Sequence, residues 1–346
     1  RPSRSCSLPT RTSMTTTCLS DSQLQLAARD GPISVPALGL GCWSWGDDKG
    51  VWGWDAYDKT LTRASIEKAF STAVDAGIRL FDTAETYGGG LSEQILGELV
   101  RKHPLREELL IATKFQPGKW SQTGIPVRKA MVQAARESTR RLGISQLALF
   151  QIHAPLHPAS FEEQGHGLAD VVEAGLARAV GVSNFALEEM VPLHAALASR
   201  GVPLATNQVE FSLLRSLPET SGLLTECARL GVRLLAYSPL AMGRLTGKYS
   251  ARREPQGRRG FSAFPMRELE PLLTKLRDVA ARHSCTPAQV ALAWVASKGA
   301  IPIPGAKNAE QAAENAGALR CQLAAEEVEE LAQLGRVGKT SNWQHA

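Results

Sequence analysis

The sequence predicts a closed (β/α)8 barrel, and three features predict it. Apolar runs alternate with segments of helical period from about residue 38 to residue 318, the pattern of repeated βα units around a parallel sheet. Gly77, Gly143, Gly175, Gly231 and Gly299 stand where a helix must end before the next strand, as C-cap positions require. Several apolar runs also stop abruptly at an ionisable or amide residue, which is how βα units present a site at the C-terminal ends of their strands. An open, doubly wound sheet shares the alternation and is the runner-up architecture.

Taken in order, residues 24–28 and 33–38 flank Asp30-Gly31, a turn dipeptide, and read as a small hairpin ahead of the barrel. Buried strands are expected at 38–42, 79–82, 109–114, 147–153, 177–183, 204–211, 232–238 and 300–304. Helical periodicity covers 65–76, 92–103, 127–142, 167–174, 187–200, 221–230, 286–298 and 309–318, the last preceded by Asn308 as a capping residue. Two departures from strict alternation stand out. A long segment at 241–264 carries Arg244, Lys248, Arg252, Arg253, Arg258 and Arg259, and an extra amphipathic helix at 266–283 follows it. Segments this long in a compact fold are functional lids or disordered stretches. A second extra helix is expected at 324–334. No linker or charge block divides 23–340, which reads as one domain.

The chain is 43% hydrophobic and 21% charged over 346 residues, ample for a sizeable core. No apolar run approaches the ~20 residues a membrane span needs. Of the net charge of +5, Arg1, Arg4 and Arg11 supply three before the first acid, Asp21, leaving +2 for the rest. That balance makes no general case for nucleic-acid binding. The six cysteines show no CxxC pair and no metal-type spacing, so reduced thiols and no metal site are expected. Cys42 lies near the presumed site and reads as a small apolar filler, an oxidation-sensitive thiol being the alternative. Residues 1–22 are rich in Ser, Thr and Arg, with no acid before Asp21. That composition resembles an organelle transit segment and points to the plastid stroma; a non-targeting tail of a cytoplasmic protein is the alternative.

The chemistry concentrates at 79–88, RLFDTAETYG. An apolar run ends there in Asp82, with Glu85, Tyr87 and a glycine-rich turn beyond. Two later strands end comparably, one at Lys114 and one at His153. An unpaired ammonium at a barrel top is costly to desolvate, and Asp82 is the natural partner for Lys114. A tyrosine with a pKa of about 10 is a poor acid at neutral pH, and a nearby cation lowers that value. Together, Asp82, Tyr87, Lys114 and His153 suit protonation of a carbonyl oxygen while hydride reaches its carbon. Singly each has an ordinary structural explanation: a rim tyrosine, an ion pair, a core histidine. Four at successive strand ends do not.

FDTAETYG with SEQILGELV, ATKF, QIH, GVSNF, TNQVEFSLL, AYSPLAMGRLTGKY and IPIPGAKNAEQAAENAGAL occur in order from about residue 38 to residue 318. This series resembles the aldo-keto reductase superfamily, most closely the plastid-type plant and algal members, which include pyridoxal reductase-like proteins. The resemblance implies an NADPH-dependent reductase of aldehydes or ketones. It makes Tyr87 the general acid, Lys114 and Asp82 its tuning pair, and His153 the residue that orients the carbonyl. It assigns Ser183, Asn184 and Gln208 to the nicotinamide carboxamide, Tyr237 to stacking on its ring, and Gly41, Cys42 and Trp43 to the cofactor's surroundings. Ser238, Leu240, Gly243 and Leu245, through backbone N–H groups, and Lys248 would wrap the pyrophosphate.

The last strand exits through Gly305 and Lys307 into a helix N-terminus, a position suited to a phosphate. Lys307 is the candidate partner of the 2′-phosphate of NADP, with Gln311, Glu314 and Asn315 around the adenosine; the family often carries arginine where Gln311 stands. No GxGxxG follows a strand, so a Rossmann-type site is not expected. Substrate would meet Trp43, Tyr87, His153 and Ala154. A bulky aromatic often occupies the position of Ala154 in relatives, which implies a wider pocket here. Trp43 and Trp45 are candidates for a pocket wall, with at least one expected in the core, and Trp52 and Trp54 extend the same loop. His157 and His166 receive no role. The expected partners are a small carbonyl substrate and, at most, weak self-association, with neither nucleic acid nor membrane. A nicotinamide-binding redox sensor with little turnover is the competing function.

Overall fold

In the computed structural model, which describes residues 23–46, 61–255 and 264–338, eight parallel strands form the expected barrel. A two-stranded antiparallel hairpin precedes it, β1 (Gln23–Leu26) and β2 (Ile33–Pro36), turning at Asp30-Gly31. The barrel strands are β3 (Leu40–Gly41), β4 (Leu80–Asp82), β5 (Leu110–Phe115), β6 (Leu147–Ile152), β7 (Ala177–Ser183), β8 (Leu204–Glu210), β9 (Arg233–Tyr237) and β10 (Ile301–Pro302), paired in that order. Closure comes from Gly39 and Gly41, whose N–H groups donate to the carbonyls of Pro302 and Pro304 at 3.0 Å each. Pro302 and Pro304 lack N–H groups, and between them Ile303 turns its own N–H to Ala236 on the other side. The prolines therefore lose donors only at the seam, where the chain needs acceptors. A Cβ at Gly41 would lie 2.9 Å from the Ile303 carbonyl oxygen, so the seam closes on a residue without a side chain.

The helices are α1 (Arg63–Asp75), α2 (Leu91–Lys102), α3 (Pro117–Trp120), α4 (Val127–Leu142), α5 (Phe161–Glu173), α6 (Leu187–Ala198), α7 (Leu217–Thr220), α8 (Leu223–Arg229), α9 (Glu270–Arg282), α10 (Pro287–Ser297), α11 (Ala309–Gly317) and α12 (Ala325–Leu334). The two extra helices of the sequence reading are α9, preceded by a 3-10 turn at Met266–Leu269, and α12. Asn308 caps α11 as expected, and Thr286, expected inside the helix, instead caps α10 from just outside it. One boundary is corrected. Helix α5 begins at Phe161, capped by Ser160, six residues before the periodic pattern does, so His166 is helical and the preceding loop is shorter. Gly165 and Gly167 weaken the helical signal in this N-terminal half of α5 because their helix propensity is low. They are there for packing: a Cβ on Gly165 would meet the Leu193 carbonyl oxygen at 2.8 Å, and one on Gly167 the Met131 sulfur at 2.7 Å.

The inner face of the barrel changes character along its axis. Leu80, Ala112, Leu149, Ala179, Leu235 and Ile301 form an apolar plug with Leu26, Ile33 and Val35 of the hairpin. Because side chains on a strand repeat every second residue, the next inward positions on β4, β5 and β6 are Asp82, Lys114 and Gln151. A polar layer thus sits directly on an apolar floor. Among the described residues no helix is long and apolar enough to cross a membrane. Residues 1–22, Trp52, Trp54, Arg258 and Arg259 lie outside the described residues.

Candidate active site

Asp82 ends β4 and Lys114 lies one residue short of the end of β5, and both are almost wholly buried, at 2% and 0% exposure. The Lys114 ammonium lies 2.5 Å from Asp82 Oδ1, donates to the Thr83 carbonyl at 2.8 Å, and sits 3.3 Å from Tyr87 Oη. Burial opposes the ammonium, but the Asp82 carboxylate and the Tyr87 oxygen outweigh it and hold the Lys114 pKa above its ordinary value. The ion pair anticipated from the sequence is therefore present, and Tyr87 is its third member.

Tyr87 reaches this point on the turn at Tyr87–Gly90, where Gly88 has φ 57° and its α-carbon faces the Gly46 carbonyl so closely that a Cβ would lie 2.2 Å from that oxygen. Only glycine meets both conditions. Burial raises the Tyr87 pKa, Lys114 pulls it down and Asp82 pushes it up; the net shift is upward. The expected lowering by Lys114 is thus present but is outweighed by desolvation, so the phenol holds its proton at neutral pH. The His153 ring stands edge-on to Tyr87, centroids 5.7 Å apart. Burial and the Lys114 charge lower its pKa to about 3, so it is neutral at any physiological pH. Its Nδ1 is buried without a hydrogen-bond partner, an unsatisfied polar atom beside the phenol.

A second polar group borders this cluster. Asn184, just past β7, adopts φ 63° and donates through Nδ2 to the His153 carbonyl and to Ser183 Oγ, both at 3.1 Å. Its Oδ1 accepts from Tyr237 Oη at 3.0 Å. Ser183 Oγ donates to the Gln208 carbonyl at 2.8 Å, and Gln208 Nε2 donates to Asp82 Oδ2 at 2.8 Å. Ser183, Asn184, Gln208 and Tyr237 are thereby brought together and tied to Asp82 and His153. Ser238, Ala241 and Met242 also have left-handed φ, at 50°, 48° and 55°. For residues with a Cβ such backbone is costly and clusters at functional loops.

Other expected positions fare unevenly. The N–H groups of Gly243 and Leu245 both donate to the Leu240 carbonyl inside the turn Ala241–Thr246, so these two are not open to a phosphate. Lys248 is exposed, its ammonium 5.6 Å from the Tyr249 ring centroid. Lys307 precedes the N-cap of α11; its N–H donates to Gln311 Oε1 at 3.1 Å. Gln311 thus holds the loop from beneath. Asn315 Nδ2 donates to the Gly305 carbonyl, and the Glu314 carbonyl accepts from Gln289.

Cys42 is fully buried, with burial and Asp82 raising its thiol pKa, which makes it the inert filler. Trp43 is half-buried beside Gly41, whereas Trp45 is core, its indole N–H on the Ala306 carbonyl at 2.9 Å. Ala154 is 2% exposed. Its small side chain is covered, so it does not itself form an open pocket wall as expected.

Sequence reasoning missed two features. Glu85, 5% exposed, accepts from the Gln116 N–H (2.7 Å), Lys119 Nζ (2.9 Å) and Trp120 Nε1 (3.0 Å), pinning the segment after β5 to the Tyr87 loop. Its place in ETYG was visible but its partners were not. Gln151 and Thr206 form a buried hydrogen-bonded pair against Asp82; both stand in the quoted QIH and TNQ motifs, but nothing local shows that they meet.

Residues 37–336 match the sequence model of the Aldo/keto reductase family. The chain is similar to a chloroplastic pyridoxal reductase of Arabidopsis thaliana, 39% identical over 312 residues, which is 86% of this chain and 82% of that protein. It is also similar to an L-glyceraldehyde 3-phosphate reductase of Escherichia coli O157:H7, 31% identical over 333 residues, or 90% of this chain and 92% of that protein. Its fold matches the crystal structure of an aldo-keto reductase from Klebsiella pneumoniae in complex with NADPH, at TM-score 0.71 and 26% identity, covering 94% of this chain and 99% of that one. The chain belongs to the aldo/keto reductase family.

Proposed function

We propose that the protein reduces small aldehydes or ketones to alcohols with NADPH, with pyridoxal the first substrate class to examine. The observation that carries this reading is the buried Lys114 ammonium held between Asp82 and the Oη of a protonated Tyr87. Tyr87 is the general acid. Its proton is retained at neutral pH by burial, and as negative charge develops on the phenolic oxygen, Lys114 at 3.3 Å stabilises it. Asp82 holds Lys114 in place. His153, neutral, lends a hydrogen bond to the carbonyl oxygen without competing for the proton.

The residues present fit a nicotinamide. Ser183, Asn184 and Gln208 converge at adjacent strand ends with Tyr237, on backbone strained into position at Asn184 and Ser238. These side chains would grip the carboxamide and fix which ring face is presented. Bound there, the nicotinamide would supply hydride to the carbonyl carbon. The first turn of α11, with Lys307 just ahead of it, suits the 2′-phosphate of NADP. Similarity to a chloroplastic relative, together with the composition of residues 1–22, favours the plastid stroma. We expect a monomer or a weak homo-oligomer.

The test is NADPH oxidation with a panel of aldehydes that includes pyridoxal, for the wild type and Tyr87→Phe. Turnover with NADPH that falls by about 10²–10⁴-fold in the variant, the worth of a general acid, with cofactor affinity unchanged, supports the reading. Equal turnover by Tyr87→Phe removes Tyr87 as the acid. Tight NADPH binding without turnover on any carbonyl replaces the reductase with a redox sensor.

A further inference from the structure

Asp82 Oδ1 faces Lys114, and its other oxygen is gripped by two neutral amides from different strands. Gln208 Nε2 of β8 donates to Oδ2 at 2.8 Å and Gln151 Nε2 of β6 at 3.3 Å. Gln208 belongs with the groups facing the cofactor. Gln151 is 0% exposed and lies in the polar layer, two residues above Leu149 of the apolar floor.

Its amide orientation is imposed from the far side. The Thr206 hydroxyl donates to Gln151 Oε1 at 3.1 Å, which turns the Gln151 NH2 group toward Asp82. That bond crosses β7, the strand between β6 and β8, at Gly181, which pairs with Gln151 on one side and Thr206 on the other. A Cβ at Gly181 would lie 2.0 Å from Thr206 Oγ1 and 3.2 Å from Gln151 Cγ. The gap is occupied by the hydrogen bond itself. Three consecutive barrel strands thus contribute a hydroxyl, a void and an amide whose combined effect is one donor aimed at one carboxylate oxygen.

We propose that Gln151 is a positioning residue for proton transfer: braced by Thr206 across Gly181, it fixes the orientation of Asp82 and so the point at which Lys114 meets Tyr87. This rests on the assignment of Tyr87 as the proton donor. A carboxylate held by three donors cannot rotate about its Cβ–Cγ bond without breaking at least one of them, and the ammonium it grips stays within reach of the phenol. With Gln151 silenced, Asp82 is short of a donor, draws Lys114 toward itself, and Tyr87 loses part of the charge that lowers its pKa.

The test uses Gln151→Met, nearly isosteric but without the amide, and Gln151→Met/Thr206→Val, which also removes the hydroxyl left unsatisfied. Both are compared with the wild type by thermal unfolding, NADPH affinity, the kcat and KM of carbonyl reduction, and ultraviolet titration of the Tyr87 phenolate, isolated by subtracting the Tyr87→Phe titration. The expected result is a fall in kcat of about tenfold in both variants, the scale of one lost hydrogen bond, with KM and NADPH affinity held within about twofold of the wild type. The Tyr87 titration and the alkaline limb of kcat should both move to higher pH. The double variant should regain stability lost in the single one without regaining kcat.

Wild-type kcat and an unmoved titration in Gln151→Met would overturn the proposal. So would a kcat loss that tracks stability and is restored in the double variant, which would make Gln151 merely structural. If the wild type reduces no carbonyl at all, the reductase reading fails, and the phenolate titration still decides whether Gln151 governs the Tyr87 environment.

Discussion

Removing the Lys114 ammonium is the most demanding test of the site, because the structure makes its cost calculable. In Lys114→Met, the Asp82 carboxylate, 2% exposed, keeps its amide donors Gln208 and Gln151 but loses the counter-charge 2.5 Å away. Breaking one side of a buried pair costs about 3–5 kcal/mol, because a charge is left uncompensated. Unfolding entropy of about 2 cal/mol/K per residue over some 300 residues converts this to a Tm decrease of about 5–8 °C. Turnover should fall with it, since Tyr87 loses the charge that stabilises its phenolate.

Lys114→Met/Asp82→Leu separates the causes. With both charges gone and apolar volume in their place, most of the lost stability should return, while turnover stays as low as in the single variant. Differential scanning calorimetry and NADPH oxidation read the two effects. A single variant as stable as the wild type would refute the buried-pair account. A double variant no more stable than the single would show that lost packing, not unpaired charge, sets the cost.

Three further outcomes follow from the same geometry. Lys307→Ala should weaken NADPH binding by about tenfold, the worth of one charge-assisted contact, and leave NADH binding nearly unchanged, as measured by fluorescence titration. Because the His153 pKa falls to about 3 in the folded chain against about 6.5 unfolded, the unfolded state binds the extra proton between those values. Stability should therefore decrease as pH drops below about 6.5, by at most about 1.4 kcal/mol per pH unit from this group, and His153→Gln should flatten that slope in denaturant titrations. Gly41→Ala places a Cβ 2.9 Å from the Ile303 carbonyl. Strain of about 1–3 kcal/mol, read as a Tm lower by about 2–5 °C by the same conversion, is expected if the seam closes as described; an unchanged Tm would contradict it.

What the sequence alone determined is local and periodic. Strand alternation, C-cap glycines and the cap at Asn308 depend on neighbours a few residues away, so they were legible. The same holds for Asp82, Lys114 and His153. A side-chain period of two carries each apolar run onto an ionisable residue at the strand end, and their common height in the barrel follows from parallel strands in register.

What only the tertiary structure decided are contacts between residues far apart in the chain. Gln208 and Asp82 are separated by 126 positions and Trp45 and Ala306 by 261, and no periodicity reports such pairs. Burial is equally non-local. It reversed the expected direction of the Tyr87 shift, because desolvation by the whole barrel exceeds the pull of one lysine. It also assigned Trp45 to the core, and it turned Gly165, Gly167 and Gly181 from apparent weaknesses into space for neighbouring atoms. A glycine's absent side chain acquires meaning only from what fills its place, and that neighbour comes from another part of the chain.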